Sequence, residues 1–260
     1  MHTIKAFLKK REILHDFKKI TKCQEAHLKE LLKRKSNIQS DVFDATRFIL
    51  EEGIDFYKSL IVLFNKGHIQ SCLLMARPIV ENAIDLQYIF QKDTEKRAKN
   101  YILHPVVSSI DKLKESEDLP GKDKVIEWLE QLKSELNKSG GQNTYWDGKN
   151  FKKICEELNQ GAIYELWYTR LSKYIHSQYK GERGLERKGP YTDFIKRFIS
   201  QDIMILTLGS LKAINEKYNL LEGRVVIKNY PHENAVLIFS ISSKETDEKA
   251  AKQLEDKIKK

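Results

Sequence analysis

The run from His68 to Phe90, HIQSCLLMARPIVENAIDLQYIF, constrains the chain more than any other stretch, because it sets charges at helical spacing into an apolar segment. Leu73, Leu74, Ile79, Val80, Ala83, Ile84, Leu86 and Ile89 cover most of a helix surface, which predicts a buried element. Arg77, Glu81 and Asp85 nevertheless recur every fourth residue, with Tyr88 one turn on, so a guanidinium, two carboxylates and a phenol share one line. Buried charge is costly unless it is paired or faces a wet cavity. The line therefore reads in one of two ways: a structural Arg77–Glu81 pair that fixes how the helix docks, or one wall of a functional cavity. Pro78 has no N–H for the carbonyl of Leu74 and predicts a kink or a fresh helix start there.

The whole chain bounds the class. At 260 residues it can bury a sizeable core, and a 32% share of charged residues fits a globular protein rich in exposed helix. The expected fold is mainly α, a multi-helix bundle with a small C-terminal β-hairpin and a terminal helix. Residues 1–220 form the helical domain, and 221–260 the hairpin and charged helix. The best continuous apolar run, Leu60 to Phe64, is far too short to span a bilayer, so no membrane association is expected. Lys5, Lys9, Lys10 and Arg11 replace a signal-peptide core, and the expected location is cytoplasmic. Cys23, Cys72 and Cys155 are odd in number and widely separated, as reduced thiols are. No histidine pair has metal-ligand spacing, and neither a metal nor another cofactor is expected.

Charge is uneven. Residues 1–35 hold eleven Lys or Arg against four Asp or Glu, a net of +7 within a total of +9. Such a basic pole favours phosphate-rich partners, and a solvated lysine face has the same composition.

Taken in order, Ile4 to about Lys35 reads as a long amphipathic helix. A second runs from a Ser40–Asp41 cap to Asn65 and stops at Lys66-Gly67. A fourth, after the central one, starts at Asp93-Thr94-Glu95 and is interrupted or bent at Pro105. A fifth lies between Gly121 and Lys138 with Val125, Ile126, Trp128, Leu129 and Leu132 as its buried stripe. Ser139 to Asn143 is a loop, followed by a short helix at Phe151 to Leu158 and another from Ala162 to about Tyr179. After the basic loop Lys180 to Lys188, a long helix covers Tyr191 to about Asn219. Arg224 to Ile227 and Ala235 to Ile241 then read as the strands of a hairpin, and Thr246 to Lys260 as a charged helix.

The helix beginning at Ala162 holds the second constellation. Tyr164, Tyr168, Ser172 and His176 fall at four-residue steps and form a slowly drifting stripe of hydrogen-bonding groups. A surface tyrosine stripe with a satisfied core histidine accounts for it without function. If the stripe faces the line on the central helix, however, one buried site explains both anomalies.

The segments ARPIVENAIDLQYIF, Arg97-x-x-x-Tyr101, YWDGKNFKKICEEL and Tyr-x-x-x-Ser-x-x-x-His together resemble an uncharacterised bacterial helical family, catalogued as a domain of unknown function, over roughly Val62 to Gln178. The resemblance implies a helical fold and site positions, and no activity. A looser similarity is to the HEPN group of α-helical nucleases and toxins, whose motif is Arg, four to six residues, then His. Arg170 to His176 fits it, as does Arg97 to His104. That similarity implies metal-independent cleavage of RNA by a homodimer with a composite cleft. On this reading His176 is the general base, Arg170 or Arg77 stabilises phosphorane charge, Glu81 tunes an arginine, and Ser172 and Tyr168 orient. A second reading lines a pocket for a small anion or nucleotide with Arg77, Arg97, Tyr101, Tyr88, Tyr168 and His176. In a third, the hairpin adds strands to a partner protein and the polar lines serve structure alone.

Overall fold

A computed structural model describes residues 2–115, 121–138, 149–169, 171–172, 202–221, 225–227 and 237–239. The long amphipathic stretches become two antiparallel partners, α1 (His2–Lys33) and α2 (Ser40–Lys66), joined by a tight turn at Lys35–Asn37. The N-terminal cap of α2 is Gln39, whose side chain accepts from the Val42 N–H at 2.9 Å, in place of the expected Ser40. Its stop is the expected one: Gly67 takes the left-handed φ of 79° that a residue with a Cβ adopts at a cost. Phe17 of α1 meets Tyr57 and Phe64 of α2 edge-on, with ring centres 6.1 and 5.6 Å apart.

The central run forms α3 (Ile69–Gln91), which lies between α2 and α9 (Ile203–Tyr218). That position explains its apolarity, since Ile79, Val80, Ile84 and Ile89 are each at most 2% exposed. Tyr57 on α2 fastens the opposite helix, its hydroxyl 2.8 Å from Thr207 Oγ1 on α9. α4 (Thr94–Ser108) packs on α2 and α3, and the short α5 (Ile110–Glu115) and α6 (Lys122–Lys138) follow on it. α5 has no counterpart in the sequence reading.

Several expectations are corrected. α3 runs through Pro78 and α4 through Pro105, so neither proline starts a new helix. Each costs a backbone bond, and in α3 the burial of the flanking turns outweighs it. The stripe of α6 is wrong in part: Leu129 is buried and Ile126 and Leu132 are half-buried, but Val125 is 46% and Trp128 53% exposed, the helix meeting α4 and α5 among the described residues. Leu74, expected in the core, is 41% exposed. α7 (Phe151–Glu157) begins at an Asn150 cap, and α8 (Gly161–Ile163) passes directly into a π-helical turn, Tyr164–Tyr168.

The described chain is therefore mainly helical. Beyond α9, two three-residue stretches, Val225–Ile227 and Leu237–Phe239, pair antiparallel. They fall well short of the hairpin expected over Arg224 to Ile241, whose turn lies outside the described residues. So do the charged helix at Thr246 to Lys260, the basic loop Lys180 to Lys188, and both Arg170 and His176. Among the described residues no helix is long and apolar enough to cross a membrane.

Candidate functional site

Two contacts set the register of the chain after α7 against α3. Gln160 Nε2 donates to Gln87 Oε1 at 2.6 Å, and Tyr168 OH accepts from Arg77 Nη2 at 3.0 Å. As the chain advances from 160 to 168, its partners on α3 retreat from 87 to 77, so the two elements run antiparallel. The two polar lines do meet, at Arg77, Glu81 and Tyr168.

The π turn shapes this meeting. The Thr169 N–H reaches the Tyr164 carbonyl instead of the next one along, and Thr169 Oγ1 donates to the same carbonyl at 2.6 Å. The wider turn brings Tyr164 and Tyr168 into a stack, ring centres 5.5 Å apart and planes 23° apart. Phe151 of α7 closes on Tyr168 from beside it at 4.3 Å.

Arg77 is held from two directions. Its Nε donates to Glu81 Oε1 at 3.0 Å, its Nη2 to Tyr168 OH, and its guanidinium carbon lies 5.0 Å from the Tyr168 ring centre. Among the described residues Nη1 has no hydrogen-bond partner, and the side chain remains 22% exposed. Burial works against its charge, but the Glu81 carboxylate and the Tyr168 oxygen together hold the guanidinium above the usual arginine range. Burial and the negative charge of Glu81 push the Tyr168 phenol up, so it stays protonated at neutral pH. The result is a fixed cation with one edge unused.

Arg97 has the opposite situation. It is 3% exposed, and its guanidinium lies 3.5 Å over the ring centre of the fully buried Tyr88. Nη1 donates to the Tyr88 carbonyl and to Gln91 Oε1, and Nη2 lies 3.7 Å from Glu157 Oε2. Lys149 completes the cluster, with Nζ 2.7 Å from both Tyr88 OH and Glu157 Oε1. That Lys149 bond holds the Glu157 carboxyl below the usual range. Arg97 and Tyr88 are thus engaged internally and closed to solvent, with Tyr88 about three turns of α3 beyond Arg77.

Tyr101 lies between α2 and α3. Burial pushes its phenol up, and the negative charges of Asp85, Glu52 and Glu81 push in the same direction. Asp85, at 4% exposure, is buried, so the line read along α3 divides into an open half at Arg77 and Glu81 and a closed half at Asp85 and Tyr88. Ser172 Oγ is buried without a hydrogen-bond partner among the described residues. Among those residues no group of three or more His, Cys, Asp or Glu is placed to hold a metal ion.

A family model described as a family of unknown function, DUF5677, matches residues 47–185. The chain belongs to that family. The DUF5677 match begins on α2 and takes in all of α3, α4 and α7, so it contains both arginine clusters together with Arg170, Ser172 and His176. No curated protein and no solved structure matches the chain.

Sequence reasoning missed Lys149, Phe151 and Glu157. They lie within YWDGKNFKKICEEL, but no helical line joins them to α3. The usable signal was Asn150, a favoured capping residue whose side chain accepts from the Lys153 N–H at 2.9 Å and fixes where α7 starts.

Proposed function

We propose that the protein acts on RNA, binding a backbone phosphate at the unused edge of Arg77 and cleaving the strand without a metal. The carrying observation is the Arg77 guanidinium itself, pinned by Glu81 and Tyr168 yet 22% exposed with Nη1 free among the described residues. A guanidinium held before its ligand arrives loses little freedom on binding, and it offers charge where a phosphorane develops it. The exposed lysines of α1, among them Lys18, Lys19, Lys22 and Lys29, supply backbone attraction. Arg170 to His176 contributes the HEPN-like spacing. In this reading His176 takes the proton of a ribose 2′-hydroxyl as its oxygen attacks phosphorus. The bond to the 5′-oxygen breaks, that oxygen takes a proton from water, and the products are a 2′,3′-cyclic phosphate and a 5′-hydroxyl. Ser172 and Tyr168 orient the phosphate, and a homodimer would complete the cleft.

The test is incubation with RNA in EDTA. Cyclic-phosphate ends from wild type, absent with His176→Ala and with Arg77→Met, support the reading. Intact RNA with wild type refutes it.

A second reading has its own support. Phe151, Tyr164 and Tyr168 form an aromatic group beside the Arg77 cation, a surface suited to a planar anion or nucleotide, and the protein is then a sensor. It requires ligand-dependent thermal stabilisation without turnover. The short antiparallel pairing at Val225–Ile227 and Leu237–Phe239 supports a third, in which a C-terminal hairpin adds strands to a partner. Removing residues 222–260 would then lose the partner, and His176→Ala would be silent.

A further inference from the structure

Two charged residues bracket α7, and each reaches one member of the buried Tyr88–Arg97 pair. At its start, Lys149 Nζ donates to Tyr88 OH at 2.7 Å. At its end, Glu157 lies 3.7 Å from Arg97 Nη2, and its carbonyl accepts from Gln91 Nε2 at 2.9 Å. Lys149 and Glu157 also bond each other at 2.7 Å, which closes the clamp across the helix. The short α7 is thus fastened at both ends to α3 and α4.

Between those ends sits Phe151, 5% exposed, with its ring centre 4.3 Å from that of Tyr168. Lys152 adds an outer tie, 2.8 Å from Glu165 in the π turn. Tyr168 in turn holds Arg77 at 3.0 Å. A short chain of contacts therefore leads from the Lys149–Tyr88–Arg97–Glu157 clamp through Phe151 and Tyr168 to the open guanidinium. Alone, the Glu81 carboxylate would leave Arg77 free to swing about its one remaining bond, so the placement of Tyr168 fixes the direction of the unused edge.

We propose that Lys149 and Glu157 are positioning residues for the Arg77 site: by pinning α7 they seat Phe151 against Tyr168, and Tyr168 then aims Arg77 at its phosphate. The part concerning phosphate rests on the reading given under Proposed function. The part concerning Tyr168 does not.

The test uses the full chain labelled with 3-fluorotyrosine, the Tyr168 fluorine signal being assigned by its loss in Tyr168→Phe. Affinity for a 2′-O-methyl oligouridylate, which cannot be cleaved through its 2′-oxygen, is measured on the same samples. Lys149→Met is expected to move the Tyr168 signal and to weaken binding about tenfold. Lys149→Arg, which keeps the cation, restores both. A Tyr168 signal unmoved in folded Lys149→Met overturns the proposal. Should Lys149→Met fail to fold, Phe151→Leu is read in its place, because it breaks the middle of the chain of contacts and leaves the clamp bonds intact. An oligouridylate that does not bind wild type sinks the RNA reading, whereas the fluorine signal still decides whether the clamp places Tyr168.

Discussion

Arg77 and Arg97 look alike in the sequence, each with a polar partner four residues on, Glu81 and Tyr101, yet their surroundings assign them different work. Arg97 is 3% exposed and carries a backbone carbonyl, a carboxylate and a tyrosine face. Arg97→Met leaves those partners without a cation and is expected to lower unfolding stability by about 3–5 kcal/mol in urea melts. Arg77 has a single i,i+4 ion pair at the rim, so Arg77→Met is expected to cost no more than about 1 kcal/mol. Equal losses would mean that both arginines are structural. The difference was not legible from spacing, because what covers Arg97 is Lys149 and Glu157, more than fifty residues away along the chain. The Arg77–Glu81–Tyr168 contact was partly legible, since two polar lines in apolar helices need partners and each other's line is the economical supply.

At the scale of elements, the local rules succeed where they depend on backbone and fail where packing decides. The stop of α2 was readable because Lys66-Gly67 needs only the freedom of glycine at a φ of 79°. A fresh start at Pro78 did not follow, because the rule for a lone helix takes no account of neighbours and α3 is gripped on two sides. Val125 and Trp128 were placed in a buried stripe that on α6 is narrower, centred on Leu129. The π turn left no signature in the sequence beyond Thr169, whose hydroxyl competes for the Tyr164 carbonyl. One helix contact can be checked directly. Tyr57 OH is fully buried and shares a 2.8 Å hydrogen bond with Thr207 Oγ1, which donates to the Ile203 carbonyl at 2.9 Å. Tyr57→Phe is expected to cost about 1 kcal/mol in thermal or urea unfolding, and no change would show that this bond does not fasten α2 to α9.

For the whole molecule, pH gives a test with a definite sign. His27 is fully buried on α1, with Nδ1 2.8 Å from the Cys23 carbonyl and Nε2 without a partner among the described residues. Burial lowers its pKa from 6.5, against the opposing pull of that carbonyl, and burial lowers His104 too. As pH falls below 6.5 the unfolded chain takes up protons that the fold resists, so stability drops through that window. The melting temperature is expected to decline from pH 6.5 toward 5, and His27→Gln to flatten part of the slope, with His104 keeping the rest. A decline unchanged by His27→Gln would assign the effect elsewhere. The fold class itself was readable from helical periodicity across the chain. What the chain does was not, because the DUF5677 match is to a family of unknown function and the expected base, His176, lies outside the described residues.

The account depends on the free edge of Arg77 receiving a phosphate. Titration of the uncleavable oligouridylate into wild type and Arg77→Met at one salt concentration tests this most directly. The expected result is saturable binding to wild type, weakened at least about tenfold in a variant whose melting temperature is nearly unchanged. Equal affinity in the two proteins, or none in either, contradicts it.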